Sequence, residues 1–171
     1  ETISSIPDSI LTTGGIKIYT TLDNDAQNEL ENSINRKDLG EMQIASVMMD
    51  PNNGGVLALI GGVDYSKSQY NRAIKSKRQV GSTMKPYLYY SALENGFTAS
   101  TAFKSEKTTF SVENGKSYSP NNYNNIYGNK PISMATAVAY SDNIYAVKTH
   151  LFLGEDNLIN MARRVGISEK L

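Results

Sequence analysis

Arg78-Gln79-Val80-Gly81-Ser82-Thr83-Met84-Lys85-Pro86 is the stretch that decides how this chain is read. Ser82 and Lys85 stand at i and i+3. On a helix that spacing puts two residues on one face, with Cβ atoms about 5–6 Å apart, so an amine comes within reach of a hydroxyl. Pro86 sets the helix start, because proline has no N–H and is tolerated only in the first turn. Ser82 is therefore expected at the N-cap or within a residue or so of it.

Two readings compete for this segment. Serine at an N-cap is ordinary capping, worth about 1 kcal/mol, and a bare S-x-x-K match is a weak signal. The third position argues against capping alone. A capping box has Glu or Gln there, whereas this chain has Lys85. A cation at the positive end of a helix dipole is unfavourable by ~0.3–1 kcal/mol. The dipole and any burial both disfavour the charged amine. A neutral amine beside a serine hydroxyl is a general base, and the helix N-terminus stabilises negative charge developing on the serine oxygen.

Upstream of this segment, residues 63–81 are polar and basic and read as a surface loop. Ile16 to Leu22 alternates apolar and polar residues and reads as a strand. Asp23 or Asn24 then caps a helix over 25–37, with Ala26, Leu30 and Ile34 recurring every fourth position. Ile44–Met49 and Val56–Ile60 form two strands joined by the turn residues Pro51-Asn52-Asn53-Gly54-Gly55. Val56–Ile60 is almost continuously apolar, so burial on both faces within a covered antiparallel sheet is expected. Residues 1–14 read as a linker or incoming segment, and 15–171 as part of one domain.

Downstream, Tyr87 to Glu94 has helical spacing and Gly96 is a C-terminal stop. Phe110-Ser111-Val112 and Lys116-Ser117-Tyr118 flank Asn114-Gly115, a hairpin signal. An Asn- and Tyr-rich loop follows from Tyr118 to Lys130. Helices are expected at about 131–140, 144–153 and 156–165, with Gly154 and Gly166 as stops. Strands early and helices later make an α+β fold.

Composition narrows the function classes. Lys+Arg and Asp+Glu both count 17, so the formal net charge is zero, and nothing favours nucleic acid or an anionic membrane as a partner. The absence of cysteine excludes disulfides, thiolate metal sites and a cysteine nucleophile. His150 is the single histidine, and it is expected to be a helix-face or core residue. No metal or cofactor site is expected. No stretch approaches the ~18 apolar residues of a membrane span, and no signal peptide is read; if the parent protein is secreted or anchored, its anchor is expected outside this chain.

Serine–lysine chemistry also needs a second hydroxyl and an amide near the nucleophile. Three S-x-N matches occur. Ser33-Ile34-Asn35 falls within a surface helix, and Ser119-Pro120-Asn121 within a turn-forming loop. Ser141-Asp142-Asn143 forms a short polar break between apolar helices, the best platform for presenting side chains into a cleft. Taken without Ser82, that break is better explained by capping of the next helix by Ser141, Asp142 or Asn143.

Arg78 to Pro86 resembles the nucleophile segment of class A penicillin-binding proteins, with Val80 where that family usually has Pro. Three further segments fit the same family in the same order. Gly15 to Asp23 is similar to its transpeptidase entry strand, and Ala45 to Gly62 to its central hairpin. Tyr118 to Gly128 and the helix into Ser141-Asp142-Asn143 resemble the approach to its second motif. The resemblance implies a β-lactamase/transpeptidase-like α+β fold, an antiparallel sheet with helices. It implies that Ser82 attacks the D-Ala-D-Ala carbonyl of a peptidoglycan stem peptide while Lys85 takes its proton. Ser141 would pass the proton to the leaving D-Ala, and Asn143 would hydrogen-bond Lys85 and the substrate amide. A neighbouring stem would then aminolyse the acyl-enzyme, and β-lactams would acylate Ser82. The implied location is the extracellular face of the bacterial cytoplasmic membrane.

The family's third motif, Lys-Ser/Thr-Gly on a strand bordering the cleft, has no match here; Lys107-Thr108-Thr109 and Lys148-Thr149-His150 both lack the glycine. The chain is therefore expected to hold the N-terminal part of the transpeptidase domain, with the C-terminal strands missing. It is expected to pair with the C-terminal remainder and to be weakly active or inactive alone. The alternatives are a serine β-lactamase or β-lactam sensor, and a non-catalytic penicilloyl-binding scaffold module.

Overall fold

The computed structural model describes residues 10, 15, 17–35, 39–111 and 115–167. The linker assigned to 1–14 thus lies outside the described residues apart from Ile10, as does the tip of the expected hairpin at 112–114. Two compact units meet in sequence at Arg78 and Gln79.

In the first unit, helix α1 (Asn24–Asn35) lies against an antiparallel pair, β1 (Ser46–Met49) and β2 (Val56–Ile60). Asp23 starts α1 by accepting from Ala26 N–H at 2.9 Å. The hairpin turn is closed by side chains: Asp50 Oδ1 accepts from Asn52 N–H and Asn53 Oδ1 from Gly55 N–H. Ile34, Ala58 and Ile60 form the buried contact between helix and sheet. A short helix α2 (Arg72–Lys75) follows, capped by Asn71.

The outer edge of β2 is occupied without a strand. Gln27 uses its amide as a substitute backbone, accepting from Leu59 N–H at 2.8 Å and donating to Leu59 O at 3.2 Å. Thr21 Oγ1 donates to Val56 O, Asp23 N–H to Leu57 O, and Arg72 N–H to Gly61 O. This explains why the expected strand at Ile16–Leu22 is absent among the described residues 17–22. A strand needs a continuous ladder, and this segment makes one side-chain bond before reaching Asp23. The expected burial of β2 on both faces is met in part: Ala58 and Ile60 are buried and Val56, Leu57 and Leu59 half-buried, while Val47, Met48 and Met49 of its partner are exposed.

The second unit holds the main core. Helices α3 (Lys85–Glu94), α4 (Met134–Ala139), α5 (Asn143–Leu153) and α6 (Glu155–Arg164) pack around Leu88, Tyr89, Ala92, Ala137, Tyr145 and Ala146. Two small antiparallel pairs complete it: β3 (Ala102–Lys104) with β6 (Pro131–Ser133), and β4 (Phe110–Ser111) with β5 (Ser117–Tyr118). The helix expected over 131–140 therefore begins with a strand. Ser133 both ends β6 and caps α4 through Thr136 N–H. Gly154 separates α5 from α6, as the sequence implied. The architecture is α+β.

Candidate active site

Gly81 enters the site at φ 55°, a left-handed conformation that glycine adopts without steric cost. Ser82 follows in a 3₁₀ turn, Gly81–Met84. Pro86 accounts for that turn. An α-helix reaching back to Ser82 would need the N–H of residue 86 to donate to the Ser82 carbonyl, and proline has none. Lys85 N–H donates to Ser82 O instead, which is the tighter 3₁₀ bond. Helix α3 then starts at Lys85, with Met84 as its N-cap.

Ser82 thus sits two residues before the N-cap of α3, inside the 3₁₀ turn that precedes the helix, and capping does not account for it. Its residue is exposed, and no hydrogen bond to its hydroxyl occurs among the described residues. Thr83 ties the turn down by donating from Oγ1 to Val80 O at 2.6 Å.

Lys85 reaches the other motif. Its Nζ lies 2.6 Å from Ser141 O, 3.0 Å from Ser141 Oγ and 2.6 Å from Asn143 Oδ1. Asn143 is held in that orientation because its Nδ2 donates to Asn121 O at 2.7 Å. Two of the three lysine partners, a carbonyl and an amide oxygen, can only accept. An ammonium satisfies all three by donation. A neutral amine gives its two N–H groups to those obligate acceptors and presents its lone pair to a hydroxyl, which then donates. The cradle therefore serves both protonation states. Burial pushes the Lys85 amine below the usual lysine value, and the negative charge of Asp142 pulls the other way.

Ser141 carries the strain of the site. Its φ is 50°, where a residue with a Cβ is uncommon. Below it, Asp142 is buried and caps α5 by accepting from Tyr145 N–H at 2.7 Å. Of the three residues that could have capped that helix, Asp142 is the one that does.

Ser82, Ser141 and Asn143 line one cleft of about 470 Å³, with Asn121, Tyr123 and Tyr140 on its other walls. The remaining S-x-N matches behave differently. Ser33 donates to Glu29 O within α1. Ser119 pairs with Thr109 Oγ1 at 2.7 Å, but its neighbours Asn121 and Asn122 do reach the site. The resemblance of Tyr118 to Gly128 to the approach to the second motif points to this loop, but nothing in the sequence singles out Asn121 or Asn122. Asn124 and Asn125 occupy left-handed conformations there, which asparagine tolerates better than other residues with a side chain. His150 lies on α5, and its Nδ1 is buried without a partner among the described residues. Among those residues no group of acidic or histidine side chains could hold a metal.

Comparison with known proteins gives the family and the fold. Residues 44–171 match the penicillin binding protein transpeptidase domain family. The chain is 48% identical over 162 residues to penicillin-binding protein 2D of Bacillus subtilis, covering 93% of the chain and 23% of that protein. The crystal structure of penicillin-binding protein 1A from Haemophilus influenzae superposes with a TM-score of 0.69 at 31% identity, over 72% of this chain and 18% of that one. Pseudomonas aeruginosa PBP2 shares the fold, with a TM-score of 0.68 at 24% identity, over 88% of this chain and 36% of that one. The chain thus spans about a quarter of the length of its curated relative, and it belongs to the penicillin-binding protein transpeptidase family.

Proposed function

We propose that this chain supplies the nucleophile and proton-handling groups of a D,D-transpeptidase that cross-links peptidoglycan stem peptides. The observation that carries the reading is the convergence of Lys85 Nζ on Ser141 and Asn143 beside the cleft that Ser82 lines.

In the first half-reaction, Ser82 Oγ attacks the carbonyl carbon of the penultimate D-Ala and its proton passes to the neutral Lys85 amine. The tetrahedral intermediate collapses with cleavage of the C–N bond. The leaving D-Ala amine takes a proton relayed from Lys85 through Ser141 Oγ. In the second, an amine of a neighbouring stem attacks the ester carbonyl. Its proton returns by the same relay, and Ser82 leaves as a hydroxyl. Asn143 holds the lysine and, on this reading, accepts from or donates to the substrate amide. β-Lactams enter as mimics of the donor and leave Ser82 acylated.

The substrate would be met on the extracellular face of the cytoplasmic membrane. Among the described residues no helix is long and apolar enough to cross a membrane. A Lys-Ser/Thr-Gly strand from the rest of the domain would complete the cleft, and removing an oxyanion donor from such a site costs about 10²–10³ in rate.

The test is fluorescent-penicillin labelling with peptide mapping, on this chain alone and in the presence of the complementary C-terminal segment. Slow or absent labelling alone, and labelling at Ser82 on addition of the segment, support the reading. Labelling at another residue overturns it. Rapid loss of the label would assign a β-lactamase instead.

A further inference from the structure

We propose that Asp142 is the positioning residue of this site, acting through Asn122 beneath the Ser141–Asn143 turn to align the Asn143 amide on Lys85. The inference rests on the roles given above to Ser82 and Lys85.

Capping alone does not use the whole carboxylate. Oδ1 accepts from Tyr145 N–H, which is the cap. Oδ2 accepts from two further side chains, Ser105 Oγ and Asn122 Nδ2. Asp142 is 5% exposed, Asn122 8% and Ser105 fully buried, so each of these groups depends on protein partners. A carboxylate with three donors is a strong, directional anchor.

Asn122 then transmits the arrangement. Its Nδ2 donates to Asp142 Oδ2 at 2.7 Å and to Ile126 O at 3.0 Å, while its Oδ1 accepts from Asn143 N–H at 2.7 Å. Rotating this amide by half a turn would set a donor against the Asn143 N–H and an acceptor against both the carboxylate and the Ile126 carbonyl. Its orientation is therefore single, and Asp142 helps fix it. Asn143 is held at its backbone by Asn122 and at its side chain by Asn121 O, which leaves Oδ1 aimed at Lys85.

The same carboxylate faces Lys85 and Tyr89 on α3 and Tyr145 on α5. Burial pushes both tyrosines up, so they stay neutral. Asp142 is thus the negative charge that opposes the effect of burial on the lysine.

Asp142→Asn tests this in the full-length protein. It keeps an acceptor for the Tyr145 cap but turns a donor toward Asn122 Nδ2. Two readouts are followed: the pH at which acetic anhydride begins to modify Lys85, mapped by mass spectrometry, and the rate of acylation by fluorescent penicillin. The expected results are a shift of the Lys85 profile to lower pH and acylation slowed by about tenfold or more, the scale of losing a hydrogen bond to a charged group.

An unchanged Lys85 profile and acylation rate, with only a lower Tm, would reduce Asp142 to a helix cap and overturn the proposal. If Asp142→Asn does not fold, Asn122→Ala leaves the cap intact and must still slow acylation; an unchanged rate there overturns it equally. If the unaltered protein is not acylated at Ser82, the proposed function fails, while the Lys85 modification profile still decides this inference.

Discussion

The two units of the chain are built to different standards of closure. Among the described residues the first buries three apolar side chains, Ile34, Ala58 and Ile60, whereas the second buries thirteen. The first unit satisfies a strand edge with a glutamine amide, a threonine hydroxyl and two backbone N–H groups. The second places a carboxylate, a carboxamide and a hydroxyl under its core and pairs all three. The difference follows from what each holds. A lysine kept below its ordinary protonation range needs desolvation, and aiming its amine needs fixed acceptors; both require rigid packing around it. The first unit makes no such demand.

The sharpest break in the comparison is chemical. Ser82→Ala should abolish penicillin labelling. Lys85→Met should reduce it by about 10²–10⁴, the usual scale of general-base catalysis. The same Lys85→Met variant should keep or raise Tm below the lysine's titration range, since it removes a half-buried cation whose charged form desolvation disfavours.

The pH dependence has a definite sign. The folded Lys85 amine titrates below the ordinary lysine value of 10.5. Acylation should therefore rise with pH through that lowered value and level off before the ordinary one. In the same window the unfolded chain holds a proton that the folded chain has released, so stability also rises with pH. Acylation rates and denaturant midpoints measured across that window check both statements.

Packing gives the next largest effects. Tyr145→Ala removes a fully buried ring that meets Tyr89 and Phe103, and should cost about 3–5 kcal/mol by denaturant titration. In the first unit, Gly61→Ala places a Cβ 2.8 Å from Asn71 Cα, an overpacking expected to cost about 1–3 kcal/mol. Gln27→Ala should cost about 1 kcal/mol and speed hydrogen exchange at Leu59. Were Gln27→Ala to prove as damaging as Tyr145→Ala, the contrast between the units would fail.

Much of this was legible because the signals were local. The turn residues from Asp50 to Gly55, the β2 run and Gly154 act within a few positions, and the structure places them as the sequence implied. Pro86 marks the helix boundary in the sequence, but its effect on the Ser82 carbonyl depends on which N–H is missing. The pairing of Ala102–Lys104 with Pro131–Ser133 was not legible. Neither short segment alternates, and their union depends on closing a long loop. Asn122 was hidden for a related reason: its partners, Asp142 and Asn143, are set by tertiary folding, and nothing about an asparagine in a polar loop marks it for burial.

The left-handed backbone at Ser141 limits what substitution can achieve there. Glycine would relax the strain, with a gain of about 1–2 kcal/mol, but would delete the hydroxyl. Threonine keeps a hydroxyl but adds a β-branch that this region of backbone space disfavours. Of the two aliphatic alcohols in the genetic code, the main chain at this position accepts only one. Variation that softens the turn therefore trades away the proposed relay, and evolutionary escape by conservative exchange is closed at this residue.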